Sequence, residues 1–465
     1  MVLDTGARLD RLPPSRFHRR IMWLIGIGMF FDGFDIYIAS TVLGATLQSG
    51  FSTLGENALF VSMTFFGMML GSLGTGFIGD RFGRRVTYQV NLALFGLASL
   101  VAAFAPNMGF LIVCRFFMGL GLGAENVVGY ATLAEFVPPK VRGRQQGLMA
   151  TFVVTGLPAS ALLGLLLVPV MSWRVMFVLG GLGALVVWVA RKALPESPRW
   201  LESVGKREEA SALIQKIEDE VTAENGPLPA PLAGPRTAGP QKLLSIMTPL
   251  MLPRLFLGSV VLIVINTLLY GFVTWLPTFF VNEGMSIAKS FRFALVMSLG
   301  APIGAALGAF AADRLGRRRI IILASIAAAV LGSLYPFVRD PLLLPLLGFL
   351  LVVPIYVLVA VLFAMYVPEL FPTEVRLRGS GICNTLGRGA TIGTPFLVVA
   401  LYSQYGVFGV LALMIALLVA QIVVVAMLGI ESSLQGLEAI AAAAAAPVGS
   451  VTPAALPKTS SRSSV

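Results

Sequence analysis

Twelve separate apolar runs, each long enough to cross a lipid bilayer as a helix, constrain this chain more than any other feature. They fall at about 21–47, 57–79, 86–105, 108–134, 145–170 and 173–193, and then at 255–281, 290–312, 319–338, 341–367, 380–402 and 405–429. Crossing about 30 Å of hydrocarbon takes about 20 helical residues. Lipid offers no hydrogen bonds, so each run must satisfy its own backbone, which helices do and open strands do not. The 465 residues are 57% hydrophobic and only 12% charged. A soluble domain carries about 25% charged residues, and one this apolar would expose patches that aggregate.

The net charge of +11 follows topology and does not suggest nucleic-acid binding. Arg8, Arg11, Arg16, Arg19 and Arg20 precede the first run. Alternate connections then hold Arg81, Arg84 and Arg85; Lys140, Arg142 and Arg144; Arg314, Arg317, Arg318 and Arg319; and Arg376 and Arg378. The intervening connections, such as 106–109 and 403–404, are short and nearly uncharged. Under the positive-inside rule both termini are cytoplasmic, and the chain is a multi-pass protein of the inner membrane. The first run is too long for the core of a cleaved signal and lacks its cleavage site. Cys114 and Cys383 sit inside apolar runs and read as small packed residues, with no disulfide or metal-ligand spacing.

The chain divides into a cytoplasmic segment 1–20, a six-helix bundle 21–194, a cytoplasmic loop 195–254, a second six-helix bundle 255–430 and a tail 431–465 expected to be disordered. Within the loop, 206–221 reads as a charged amphipathic helix and 226–240 as a flexible Pro/Gly/Ala-rich linker. The rest of the loop and the tail read as linker and tail without chemistry of their own, with a regulatory module as the alternative.

The two bundles are copies. Asp80-Arg81-Phe82-Gly83-Arg84-Arg85 returns 233 positions later as Asp313-Arg314-Leu315-Gly316-Arg317-Arg318. Glu135, Pro138, Val141 and Arg142 return 234 positions later as Glu369, Pro372, Val375 and Arg376. A duplication of this kind places the substrate cavity between the halves near the midplane. The expected fold is therefore all-α, with 12 transmembrane helices in two pseudo-symmetric six-helix bundles.

These motifs carry a family resemblance that spans nearly the whole chain. The stretch from Gly76 to Arg85 resembles the major facilitator signature between helices 2 and 3; the second copy departs from it with Ala309 at the leading glycine. The resemblance implies that Asp80, Arg81, Gly83, Arg84, Arg85, Asp313, Arg314, Arg317, Glu135, Arg142, Glu369 and Arg376 form the cytoplasmic gate. A topological role alone is the alternative, because arginine clusters also hold loops inside. Pro195-Glu196-Ser197-Pro198-Arg199-Trp200-Leu201 and Pro368-Glu369-Leu370-Phe371-Pro372-Thr373-Glu374 are similar to sugar porters and organic-ion transporters. Asp32-Gly33-Phe34-Asp35, with Tyr270-Gly271-Phe272-Val273-Thr274-Trp275-Leu276-Pro277, resembles the aromatic acid and metabolite:proton symporters. The paired glutamines of sugar porters are missing from that helix. Gly156-Leu157-Pro158 falls short of the glycine-rich pattern of drug/proton antiporters, which favours import.

An ionised group in hydrocarbon is costly and functional by default. Asp32, Asp35, Arg115, Glu125 and Arg388 form that set. The single histidine, His18, lies outside it, so a proton carrier must be a carboxylate. Asp35 lies about 21 Å from the inner face and Arg115 about 20 Å, at 1.5 Å per residue, so the two can pair. The resemblance implies a proton-coupling role for such a pair; a static ion pair is the alternative. Asp32, three residues before Asp35, is a second proton candidate or a local backbone cap. Glu125 is a proton site, a substrate contact or a structural partner, and is too far along its helix to reach Arg115. The glycines at 119, 121 and 123 read as a helix-packing seam. Arg388 is suited to clamp a carboxylate, or else bonds a neighbouring group. Asn266, Tyr270, Tyr356 and Asn384 are candidate cavity-lining residues.

The sequence thus points to a monomeric proton symporter that imports a small organic acid, aromatic acids included, with protons, substrate and lipid as partners. No cofactor, metal, nucleic acid or covalent chemistry is expected. A sugar or polyol symporter, an uncoupled facilitator and a non-transporting nutrient sensor stay open as alternatives.

Overall fold

The structure is a computed structural model. It describes residues 5–230, 248–249, 251–338, 340–371 and 376–431, with backbone alone at 76, 77, 80, 139, 140, 142, 143, 313 and 376–378. All regular structure among these residues is helical. A short α1 (Thr5–Asp10) leads into the spanning helices α2 (Arg16–Gln48), α3 (Leu54–Phe82), α4 (Arg84–Ala102), α5 (Met108–Phe136), α6 (Pro139–Leu167) and α7 (Arg174–Ala190). Two further helices, α8 (Pro198–Ser203) and α9 (Arg207–Asn225), follow on the side of the termini.

The second half repeats the plan with more interruptions. Its first span is α10 (Leu252–Gly271), a 3-10 turn and α11 (Leu276–Asn282). Its second joins α12 (Ile287–Ser298) to α13 (Gly300–Leu315), and its third is α14 (Arg317–Leu334). The fourth runs from α15 (Leu343–Val361) through a π-helical stretch, Leu362–Tyr366, into α16 (Val367–Glu369). The last two spans are one helical run, α17 (Arg376–Leu428), broken only at Gly406 (φ 62°, ψ −156°). The turn expected at 403–404 is therefore helical, and the reversal falls on the residue without a side chain, for which positive φ is cheap. Two spans in α17 bring the total among the described residues to twelve.

Local chemistry sets the helix starts. Thr53 and Glu56 form a reciprocal capping box at α3, Thr53 Oγ1 accepting from the Glu56 backbone N–H at 3.2 Å and the Glu56 carboxylate accepting from the Thr53 N–H at 2.8 Å. Asn107 caps α5 through the Phe110 N–H at 2.8 Å. The anticipated glycine seam is where α5 meets α3: a Cβ on Gly123 would lie 2.0 Å from the Met68 carbonyl oxygen, and one on Gly119 2.3 Å from that of Thr64. Larger residues would force the helices apart.

The loop between the halves holds more structure than a linker. The anticipated helix runs from Arg207 to Asn225, and its apolar face, Ile214, Ile217 and Val221, packs with Leu9, Leu12 and Phe17 from the N-terminal segment and Phe136 from α5. Charged contacts seal this cap. Arg8 and Arg11 both bind Glu218, at 2.5 and 2.7 Å; Arg20 meets Glu220 at 3.1 Å, and Arg199 meets Asp10 at 2.7 Å. Most of the segment read as flexible, 231–240, lies outside the described residues, as does the tail beyond 431.

Candidate functional site

Buried charges in the first half form two tiers. The outer tier is Asp35 on α2 and Arg115 on α5. Arg115 Nη1 donates to Asp35 Oδ2 at 2.7 Å, and the two side chains are 0–1% exposed. Arg115 also donates to Thr64 Oγ1 at 3.1 Å and stacks over the Phe60 ring at 4.8 Å. The other Asp35 oxygen, Oδ1, is buried without a hydrogen-bond partner among the described residues.

The inner tier joins Glu125 on α5 to Arg191, just past the end of α7. Arg191 Nη1 donates to Glu125 Oε1. The same guanidinium donates to the carbonyls of Leu24 and Ile25 on α2, at 3.0 and 2.9 Å, and lies 4.5 Å above the Tyr88 ring of α4. It therefore ties four helices together. A Cβ on Gly28 would overlap it, 1.9 Å from Nη2. Asp32 sits within electrostatic reach of Glu125, Arg191 and Asp35. It is 1% exposed, and neither carboxylate oxygen has a hydrogen-bond partner among the described residues.

Arg388, in the first part of α17, faces these tiers across the boundary between the halves. Its Nη1 donates to Ser72 Oγ on α3 at 2.7 Å, and it has no carboxylate partner among the described residues. The Ser72 hydroxyl hydrogen is shared between the Met68 carbonyl one turn back, at 2.8 Å, and the carbonyl of Gly123, two residues before Glu125, at 3.0 Å. Tyr356 donates to Tyr37 Oη at 2.9 Å, and Tyr270 packs on Phe65 with ring centres 4.3 Å apart; both contacts also cross the halves. Asn266 and Asn384 instead bond carbonyls one turn back on their own helices, Leu262 and Ser380, at 2.7 and 2.9 Å.

On the face carrying the termini, the repeated motifs build matching latches. Arg84 binds Glu135 at 3.0 Å and the Gly79 carbonyl at 2.9 Å; Arg317 binds Glu369 at 3.2 Å and the Ala312 carbonyl at 3.1 Å. Gly83 (φ 93°) and Gly316 (φ 91°) turn the chain before each arginine. A carboxylate closes each turn. Glu196 accepts from the backbone N–H groups of Arg84 and Arg85 at 2.9 and 3.2 Å. Glu431 accepts from those of Arg317 and Arg318 at 2.8 and 3.2 Å. Each is an acid at a helix N-terminus, where free amide hydrogens and the helix dipole favour negative charge. Glu431, assigned from sequence to a disordered tail, is thus the second-half counterpart of Glu196. Arg85 reaches the Lys192 carbonyl at 3.0 Å, while Arg81 and Arg314 lie over neighbouring rings, Phe82 and Phe310. The side chains of Asp80, Asp313, Arg142 and Arg376 lie outside the described residues.

Buried charge in a duplicated bundle has clear relatives. The Major Facilitator Superfamily profile matches residues 25–395. The chain belongs to this superfamily. It is 38% identical over 408 residues to the inner membrane metabolite transport protein YdjE of Escherichia coli, covering 86% of this chain and 90% of that one. It is 32% identical over 403 residues to the niacin transporter NiaP of Acinetobacter baylyi, covering 85% and 90%. The inward-open xylose transporter XylE from E. coli superposes with a TM-score of 0.68 at 16% identity, over 92% of this chain and 99% of that one. The protein is therefore a multi-pass membrane transporter and not an enzyme.

Sequence reading missed Arg191 because it adjoins Lys192 at a helix end and reads as a boundary charge. Depth would have revealed it. Glu125 lies 17 residues past the first residue of α5, Met108, and Arg191 lies 17 past the first of α7, Arg174. Both helices start from the same face, so the two groups share a level. Arg254, also passed over, is buried and donates to the Leu370 carbonyl at 2.9 Å.

Proposed function

We propose that this transporter imports small organic acids, aromatic carboxylates among them, by proton symport and alternating access. The charge count at membrane depth carries this reading. The first half holds three buried acids, Asp32, Asp35 and Glu125, against two buried arginines, Arg115 and Arg191. The second half offers Arg388 with no acid to match it among the described residues; its other buried arginine, Arg254, sits in the first turn of α10 at the termini face and is held by the Leu370 carbonyl. An uncompensated charge is expensive away from water. A proton bound in the first half and an organic anion bound at Arg388 each cancel one surplus, and a sugar would leave Arg388 unbalanced. Asp35 takes the proton at its unpartnered oxygen and frees Arg115; Asp32 and Glu125 form a second proton store around Arg191. Tyr270 and Asn384, half-buried near Arg388, contact the substrate, while Tyr356 and Asn266 shape the wall. The latches at Arg84 and Arg317 form the cytoplasmic gate, with both termini inside and one chain as the working unit. A relative named for niacin, a pyridine carboxylic acid, supports the substrate class.

The test is uptake of labelled benzoate, nicotinate and xylose into proteoliposomes with an imposed pH gradient. Accumulation of at least one acid that collapses with a protonophore is expected. Arg388→Gln should weaken that acid's binding about tenfold or more, as loss of a charge-assisted clamp implies. Acid uptake indifferent to both protonophore and Arg388→Gln, or gradient-driven xylose accumulation instead, would refute the proposal.

A further inference from the structure

On the face opposite the termini, a cavity of about 520 Å³ opens between the α2–α3 turn, the α6–α7 turn and the start of α12. Its walls include Phe51, Ser172, Trp173 and Arg174 from the first half and Ile287 from the second. Arg174 is the unusual member. It donates to the Ala105 carbonyl at 2.9 Å and lies over the Trp173 and Phe51 rings at 4.4 and 5.5 Å. Among the described residues it has no carboxylate partner. Topology gives no reason for a cation here, since arginine clusters mark the other face. The turn that presents it is strained: Ser172 has φ 149°, the one positive value outside glycine among the described residues. Such strain persists where the surroundings enforce it, often at ligand sites. The volume falls in the range of small-molecule pockets.

We propose that this cavity is a second binding site, which captures an aromatic carboxylate outside the central cleft before the halves part. The carboxylate pairs with the free donors of Arg174, and the ring lies against Phe51 and Trp173, which are already in contact at 5.0 Å. The site rests on the organic-acid reading for its ligand class, but not on Arg388 or on proton coupling.

Photolabelling with 4-azidobenzoate, followed by peptide mapping, tests it. Wild-type protein in proteoliposomes should be labelled near Phe51 and Trp173, with protection by excess benzoate and not by neutral benzamide. Arg174→Gln should lower that labelling about three- to fivefold, the factor a half-exposed ion pair supports. Arg174→Lys should retain most of it, and Arg388→Gln should leave it unchanged. If Arg174→Gln does not fold, Phe51→Leu replaces it and should also reduce labelling there. Labelling near Phe51 with none at the central cleft would sink the central-site reading and leave this one standing. Absence of label near Phe51, equal protection by benzamide, or indifference to these substitutions would overturn the proposal.

Discussion

Removing the charge of Asp35 separates a working proton switch from a static ion pair. Arg115 is 1% exposed and its carboxylate partner is 2.7 Å away. Asp35→Asn keeps the volume and a neutral amide acceptor but removes the carboxylate charge, leaving the guanidinium with neutral partners alone: the amide, Thr64, the residue-35 carbonyl and the Phe60 ring. Breaking one side of a buried pair costs about 3–5 kcal/mol, which is about two to four orders of magnitude in the unfolding equilibrium. Removing both charges, with Asp35→Asn and Arg115→Met together, should recover most of that loss, because apolar replacement of a buried pair is often near neutral. The expected coupling energy is about 3 kcal/mol, read from denaturant unfolding in detergent. Function should not recover with stability. Both variants should lose gradient-driven accumulation, and Asp35→Asn should retain counterflow exchange. If the pair were static, the double variant would regain stability and accumulation together. Full accumulation by Asp35→Asn would refute the switch.

Two further outcomes follow from groups outside the bilayer core. Burial alone would raise the Glu218 carboxyl, but hydrogen bonds from Arg8 and Arg11 outweigh it and hold Glu218 below its ordinary value of 4.5. Its contribution is therefore complete above about pH 4.5 and is lost as pH falls through the lower folded value. Hydrogen-exchange protection in α1 and α9, taken relative to the intrinsic rate at each pH, should fall on acidification in wild type, and Glu218→Gln should be about 1–2 kcal/mol less protected throughout. A pH step of the same size in both proteins would exclude Glu218 as its source. At the latch, Gly316→Ala must hold a side chain at φ 91° with its Cβ 2.5 Å from Glu431 Oε2, and should cost about 1–2 kcal/mol in thermal or denaturant unfolding. Gly79→Ala, helical and with nothing nearer than 3.5 Å to the new Cβ, is the control and should be close to neutral; equal losses would remove the argument from backbone geometry.

The membrane fold was legible because lipid makes a strict demand. Each span must bond its own backbone, so the apolar runs mark the helices directly, and depth at 1.5 Å per residue placed Asp35 level with Arg115. The same arithmetic applied to helix ends would have placed Arg191 beside Glu125. Its neighbour Lys192 hid it, since a terminal Arg-Lys pair fits the positive-inside pattern equally well. The cap on the termini face was less accessible. Arg8 and Glu218 are 210 positions apart, and no periodicity in either segment names the other as partner. The Glu431 latch was obscured differently: a single acid before a low-complexity stretch carries little signal until Gly316 and the two following N–H groups are seen around it. Among the cavity candidates, Asn266 and Tyr356 were chosen as polar residues in apolar helices. Helix geometry gives Asn266 its own Leu262 carbonyl, and Tyr37 claims the Tyr356 hydroxyl.

The surplus charges of the two halves are connected by protein bonds. The Arg388 guanidinium donates to Ser72, the Ser72 hydroxyl is shared between the Met68 and Gly123 carbonyls, and two residues further along α5 Glu125 holds Arg191, which in turn grips the backbone of α2 at Leu24 and Ile25. A chain of contacts does not by itself establish coupling; that requires an element with two arrangements that both ligands bias. The Arg388–Ser72 bond meets the requirement on the proposed reading. It is the hydrogen bond by which Arg388 spans the halves, and a substrate carboxylate competes for the same donors. With the anion bound, Ser72 loses a charge-assisted bond and the halves lose one tie. With a proton on Asp35, the first half's acids no longer exceed its arginines, Arg115 is freed, and the tie between α2 and α5 weakens. Each ligand alone leaves one surplus charge buried and one set of ties in place. Only both together neutralise both halves and loosen both sets of ties, so the differential affinity that shifts the equilibrium belongs to the pair. On the proposed reading, obligatory coupling of proton and acid follows from charge balance, with no need for either ligand to touch the other.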